Sequence, residues 1–244
     1  MTNQELISIV CPIFNNTGFA YYFTPETGAR GAELGFQGGE FYFAGRGGVL
    51  GNCDANVVAS AFGYFNPAVV RRNWESACAK VAPRDAGAAH WECCAATGRA
   101  KLAGLSDAAA FVDAAETVFN AADSDGLALF AGFKSLPLAE DLPARALQLV
   151  AALREFRGSA HLVAVRAVGL TSKQAHYLKR PNDMKMFGYA PDDAPEVPAN
   201  GIELMERAEQ LTDQIVTPAY AVLNDSQRAA LVAGAQQVLA ALSA

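Results

Sequence analysis

The segment LQLVAALREFRGSAHLVAVRAV, residues 147–168, sets Leu147, Val150, Leu153, Ala160 and Val163 at the three- and four-residue steps of one helix face. A half-buried strand would alternate with period two, and no stretch of the chain sustains that alternation. On the same helix Arg154, Arg157 and His161 stand at i, i+3 and i+7, a polar line beside Leu153 and Ala160. Such a line can hold a carboxylate or phosphate, with His161 able to exchange a proton near neutrality, or it can be a solvated face. Gly158 interrupts it. Glycine inside a helix costs about 1 kcal/mol against alanine, so its use here predicts close approach by another group.

Upstream of this segment the helical pattern recurs. Leu6, Ile7, Val10, Cys11 and Phe14 make one face around Pro12. Thr24-Pro25-Glu26 has the chemistry of a capped helix start, with Gly35 or Gly38 as the stop. Asp54 and Asn66-Pro67 open two more helices, the second running to Val81. Residues 90–102 are Ala-rich, and Ser106-Asp107 is expected to cap the next helix, whose stripe is Phe111, Val112, Ala115 and Phe119. Pro137 and Pro143 bracket a connection. Downstream, Thr171 caps a short helix over 172–180, a second short helix is expected over 182–188, and a Pro- and Asp-rich loop fills 190–201. A long helix over 202–223 and a final one capped by Asp225-Ser226 complete an all-α chain. The reading divides it into a multi-helix ligand-pocket domain (1–165), a degenerate helix-turn-helix segment (166–200) and two C-terminal helices (201–244) that offer a homodimer contact.

The composition narrows the function. Of 244 residues 52% are apolar and 18% charged, enough for a sizeable core, and the net charge of −6 works against general affinity for nucleic acid or anionic membrane. The longest apolar runs, such as LISIVCPIF at 6–14, fall far below the roughly 18 residues that span a bilayer. MTNQELISIV carries Glu5 and no basic residue, and Cys11, Cys53, Cys78, Cys93 and Cys94 form no disulfide framework. A cytoplasmic protein with reduced thiols and no membrane partner is expected.

Residues 21–51, YYFTPETGARGAELGFQGGEFYFAGRGGVLG, mix aromatics, glycines and charged groups. Where the backbone is helical, Tyr22 with Glu26 and Tyr42 with Arg46 share a face, and the mixture suits a pocket wall as well as a core. Gly45-Arg46-Gly47-Gly48 lacks dinucleotide-fingerprint spacing because Leu50 holds the third glycine position. His90, Cys93 and Cys94 share a helical edge but have no fourth zinc ligand nearby, so no metal site is assigned. Walker A, G-x-S-x-G and HExxH sequences are absent, and no cofactor is identified. Residues 166–185 carry a local +4 from Arg166, Lys173, Lys179, Arg180 and Lys185 against Asp183. Two short helices broken at Pro181 fit a helix-turn-helix presenting Asn182, Lys185 and Arg180 to DNA, while Asp192, Asp193 and Glu196 stand where a basic wing would touch phosphate.

YYFTPE, YFAGRGGVLG, VVASAFGYFNP and LREFRGSAHLVAVRAVGL, in this order, resemble an actinobacterial family of helix-turn-helix-like proteins of unassigned activity. The resemblance implies a helical domain followed by a segment similar to a MarR-type winged helix. Tyr22, Phe23, Glu26, Tyr42, Arg46, Asn66, Arg154, Glu155, Arg157 and His161 match its recurrent positions, and Phe156 stands where many members have histidine.

Joined together, these features predict a cytoplasmic small-molecule-binding protein, a ligand sensor or degenerate MarR-like regulator. Its ligand lies between residues 21–51 and the 154–161 helix, held by Tyr22, Phe23, Glu26, Tyr42, Arg46, Asn66, Arg154, Arg157 and His161. Arg46→Ala and His161→Ala are expected to fold and lose the ligand. The alternative is an enzyme in which Glu26 and His161 act as acid and base on a small anionic or aromatic substrate. DNA is a further candidate partner, through Lys173, Lys179, Arg180 and Lys185.

Overall fold

Helices and turns account for all the secondary structure among the described residues, 1–243, of this computed structural model; no strand occurs among them, as the all-α reading expects. In chain order the helices are α1 (Asn3–Thr17), α2 (Pro25–Glu33), α3 (Glu40–Gly47), α4 (Ala55–Phe62), α5 (Pro67–Cys78), α6 (Pro83–Lys101), α7 (Ala108–Ala121), α8 (Ala128–Lys134), α9 (Leu142–Ala167), α10 (Ser172–Lys179), α11 (Gly201–Ala221) and α12 (Asp225–Ser243). Local chemistry sets most of the starts. The side chains of Thr24, Asp54, Asn66 and Asp141 each accept a hydrogen bond from a first-turn amide, and Thr171 closes a capping box with Gln174. Pro25, Pro67 and Pro143 occupy first turns, where an amide would have no helical partner. For that reason α9 begins at Leu142, upstream of its apolar period, and Pro143 belongs to the helix.

Several expectations need revision. Asn224, one residue before Asp225, caps α12: its Oδ1 accepts from the Gln227 amide at 2.9 Å. Asp107 stands at α7 with φ 52 and makes no side-chain cap. The second short helix does not form. Arg180 leaves helical geometry at φ −143, Pro181–Asp183 makes one 3-10 turn, and hydrogen-bonded turns carry the chain to Gly188. Tertiary contacts fix this path, because Phe187 packs on Phe65 and His176 with ring centroids 4.5 and 4.1 Å apart, and its carbonyl accepts from the Asn66 amide.

The centre of the fold is α9, which packs on α1, α6, α7, α8 and α11. Ala146 through Leu153 are buried without interruption, so the first half of this helix is enclosed on every side. Its last turns belong to a second, smaller apolar cluster in which Ala164, Val165 and Leu170 meet Ala175 of α10 and Ala208 of α11. The boundary expected at residue 165 thus falls inside α9. Val216, Tyr220, Leu231 and Val238 of the last two helices lie in the main core with α1 and α7, which places these helices against their own chain.

Glycines of residues 45–48 explain the crossing of α3 on α6. A methyl on Gly45 would stand 2.5 Å from the His90 ring, and one on Gly48 would strike the Pro83 carbonyl oxygen. The glycine run therefore permits backbone contact between two helices.

Candidate ligand site

Tyr42 and Arg46 are one turn apart on α3, and the Arg46 guanidinium donates to the Tyr42 hydroxyl at 3.3 Å. The same guanidinium forks onto Glu155 of α9, Nε to Oε1 at 3.1 Å and Nη2 to Oε2 at 2.8 Å. Oε1 of Glu155 also accepts from Arg154 Nη1 at 2.6 Å and from the Tyr22 hydroxyl at 2.9 Å. Glu155 is 1% exposed. Burial by itself would raise its carboxyl, but the Arg46 and Arg154 charges and these hydrogen bonds hold it at about 2. Arg46 also lies 4.3 Å over the Phe62 ring. Two guanidiniums share one carboxylate, which leaves a positive excess.

This cluster forms part of the wall of a cleft of about 320 Å³. Arg46, Arg154, Arg157, Lys179 and Arg180 line it against a single lining carboxylate, Glu155, and Phe19, Tyr42, Phe62, Tyr64, Phe65 and Phe187 supply aromatic wall. Behind the lining, Glu209 and Asp213 of α11 hold Arg157, Glu209 holds Lys179 at 2.6 Å, and Asp183 stands 3.9 Å from Arg180. The cationic excess thus sits at Arg154 and the Arg180 end. Gly158 also lines the cleft, and a methyl added there would meet nothing within 4 Å. The close approach expected at this glycine does not exist; the space above it is the cleft.

Three polar groups of the wall stand out. Thr212 Oγ1 donates to the Ala208 carbonyl at 2.7 Å, so it accepts from His161 Nδ1 at 2.9 Å, which leaves Nε2 of the neutral ring as an acceptor. Burial lowers the His161 pKa, against the pull of Glu209. Ser159 Oγ and His176 Nε2 are buried with no hydrogen-bond partner among the described residues, and both residues line the cleft.

Among the residues singled out from sequence, the cleft brings together Tyr42, Arg46, Arg154, Arg157 and His161, and adds Lys179 and Arg180. The others lie elsewhere. Tyr22 is buried behind the wall on Glu155, and Phe23 is 75% exposed. Glu26 is exposed in the first turn of α2; Tyr22 precedes that helix, so the pair has no common face. Glu26 does not line the cleft that holds His161, so the acid and base pairing has no shared cavity. Asn66 is a clasp: Oδ1 caps α5, Nδ2 donates to the Gly188 carbonyl at 3.0 Å, and its role is structural. Lys173 lies 4.7 Å over the Tyr189 ring, and Lys185 is exposed. His90 packs among Tyr21, Tyr22 and Phe41, and burial followed by the Arg46 charge depresses its pKa to about 3. Glu155, a recurrent position of the resemblance but not among the expected ligand-binding residues, and His176, not singled out at all, carry roles that sequence reasoning missed.

Residues 12–192 match the profile of a helix-turn-helix family. The chain belongs to this family. Membership is consistent with a regulator-like DNA-binding or sensor protein, and the match takes in the cleft-lining residues from Asn15 to Phe187. Comparison with curated proteins and with solved structures finds no match. Residues 171–200 consist of α10, two 3-10 turns and connecting turns with no strand, so the winged-helix hairpin implied by the resemblance is absent from these described residues. No helix among the described residues is long and apolar enough to cross a membrane.

Proposed function

We propose that this member of the family is a cytoplasmic small-molecule sensor that takes an anionic ligand with an aromatic or apolar body into the cleft between α3, α9 and α10. The observation that carries this reading is the lining itself: Arg46 and Arg154 share one carboxylate, aromatic side chains form the walls, and two buried polar atoms have no partners. Arg154 and Arg180 are the anion-holding groups, and Ser159 and His176 complete the polar set. His176, Lys179, Arg180 and Phe187 belong to the helix-turn-helix segment, so an occupied cleft would bias the position of that segment.

Native mass spectrometry of protein purified without added ligand tests the reading, followed by thermal-shift titration with a panel of aryl and alkyl carboxylates. A retained organic anion, or binding that Arg180→Gln weakens by about tenfold or more at unchanged melting temperature, is the expected result. An empty protein that no acid stabilises would overturn it. Family membership favours duplex DNA as a second partner. Salt-sensitive retardation of DNA that is lost on neutralising Lys173 and Lys185 would support that role.

A further inference from the structure

Resting on the ligand-site reading above, we propose that the ligand is an amphipathic acid: an anionic head on the guanidiniums of the basic cleft, and a linear apolar arm that crosses to a second cleft between α4, α8 and α9. That second cleft measures about 760 Å³ and includes Val57, Leu127, Leu129, Leu162 and Val163 in its lining. Arg166 is its one charged lining residue, and its guanidinium is turned to the Leu170 carbonyl at 2.6 Å. Val57 and Val163 of this lining are 47% and 43% exposed.

The two clefts adjoin, with Ala61, Leu129 and Ser159 contributing to the lining of both. Two of the three are small. Ser159 Oγ is buried and unpartnered at this junction, and neighbouring Gly158 leaves open space on the head side. A compact anion would use only the basic cleft and leave the apolar one wet. A purely apolar ligand would leave the guanidiniums unanswered. A molecule with both parts satisfies both surfaces, and the junction hydroxyl can pair with an acyl oxygen or a polar atom near the head.

Calorimetric titration with butyrate, octanoate and 1-octanol distinguishes the possibilities, on the wild-type chain and on Ala128→Trp. Ala128 is exposed, lines the apolar cleft and does not line the basic one, so the indole fills the arm site without touching the head site. Each methylene buried adds about fourfold in affinity, so octanoate is expected to bind at least tenfold tighter than butyrate. Ala128→Trp should remove that gain and leave butyrate unchanged. Equal affinity for butyrate and octanoate would overturn the arm while the anion site stands. Octanol binding as tightly as octanoate would overturn the head. If neither acid binds, the ligand-site reading fails with it.

Discussion

Glu155 shows how much one buried side chain can decide. It accepts from Tyr22, twice from Arg46 and once from Arg154, so three segments of chain are fixed to one carboxylate. Removing the charge leaves two guanidiniums without their counterion in a buried setting, and breaking such a pair destabilises by about 3–5 kcal/mol. Glu155→Gln is therefore expected to lower the urea midpoint by a loss of that size, and an unchanged midpoint would contradict the ion cluster. Arg46→Ala belongs to the same class, so the expectation that it folds and only loses ligand is revised; His161, half-tethered to Thr212, remains a fair probe of binding. The pH dependence follows from the same residues. The folded Glu155 carboxyl lies near 2 against an ordinary 4.5, so its contribution is complete above pH 4.5 and is lost as pH falls from there, about 3 kcal/mol in all. His90 is also depressed, to about 3 from 6.5, so the stability it lends is full above pH 6.5 and declines below it, with His161 and His176 shifted in the same direction. Urea midpoints should thus begin to fall below pH 6.5, and a His90→Gln chain should show a shallower fall between pH 6.5 and 4.5.

At the scale of the element, α9 combines support and site. Its first half is enclosed by other helices, and its middle presents Arg154, Arg157, Gly158 and His161 to the cleft. Glycine at 158 lowers helix stability by about 1 kcal/mol relative to alanine, and nothing packed against it requires the missing methyl. Gly158→Ala should therefore raise the melting temperature by a few degrees, while Gly158→Leu, which fills the space, should abolish binding of any acid the wild type takes. A destabilised Gly158→Ala chain would show that the space is not open. The short helices α3 and α8, of eight and seven residues, left no readable period in the sequence. By contrast the caps at Thr24, Asp54, Asn66, Asp141 and Thr171 involve contacts within three residues, and four of them were legible; Asp141 was masked by the assumption that Pro143 lay in a loop.

For the whole molecule, α9 threads both apolar clusters, and α11 and α12 return to pack on α1, α7 and α9. Unfolding followed by tryptophan fluorescence of Trp74 and Trp91 and by far-ultraviolet circular dichroism should therefore give one coincident transition. Two separated transitions would support the three-part division of the chain.

The sequence by itself determined the helical class, most helix starts and the two basic aromatic regions, because periodicity and capping act over a few residues. Only the tertiary structure decided that Arg46 meets Glu155 across 109 positions, that Asn66 and Phe187 clasp the 181–188 segment into turns, and that Lys179 and Arg180 join the cleft. Those outcomes depend on the way α9 brings distant faces together, and a pairing between buried charges far apart in the chain leaves no local pattern to read.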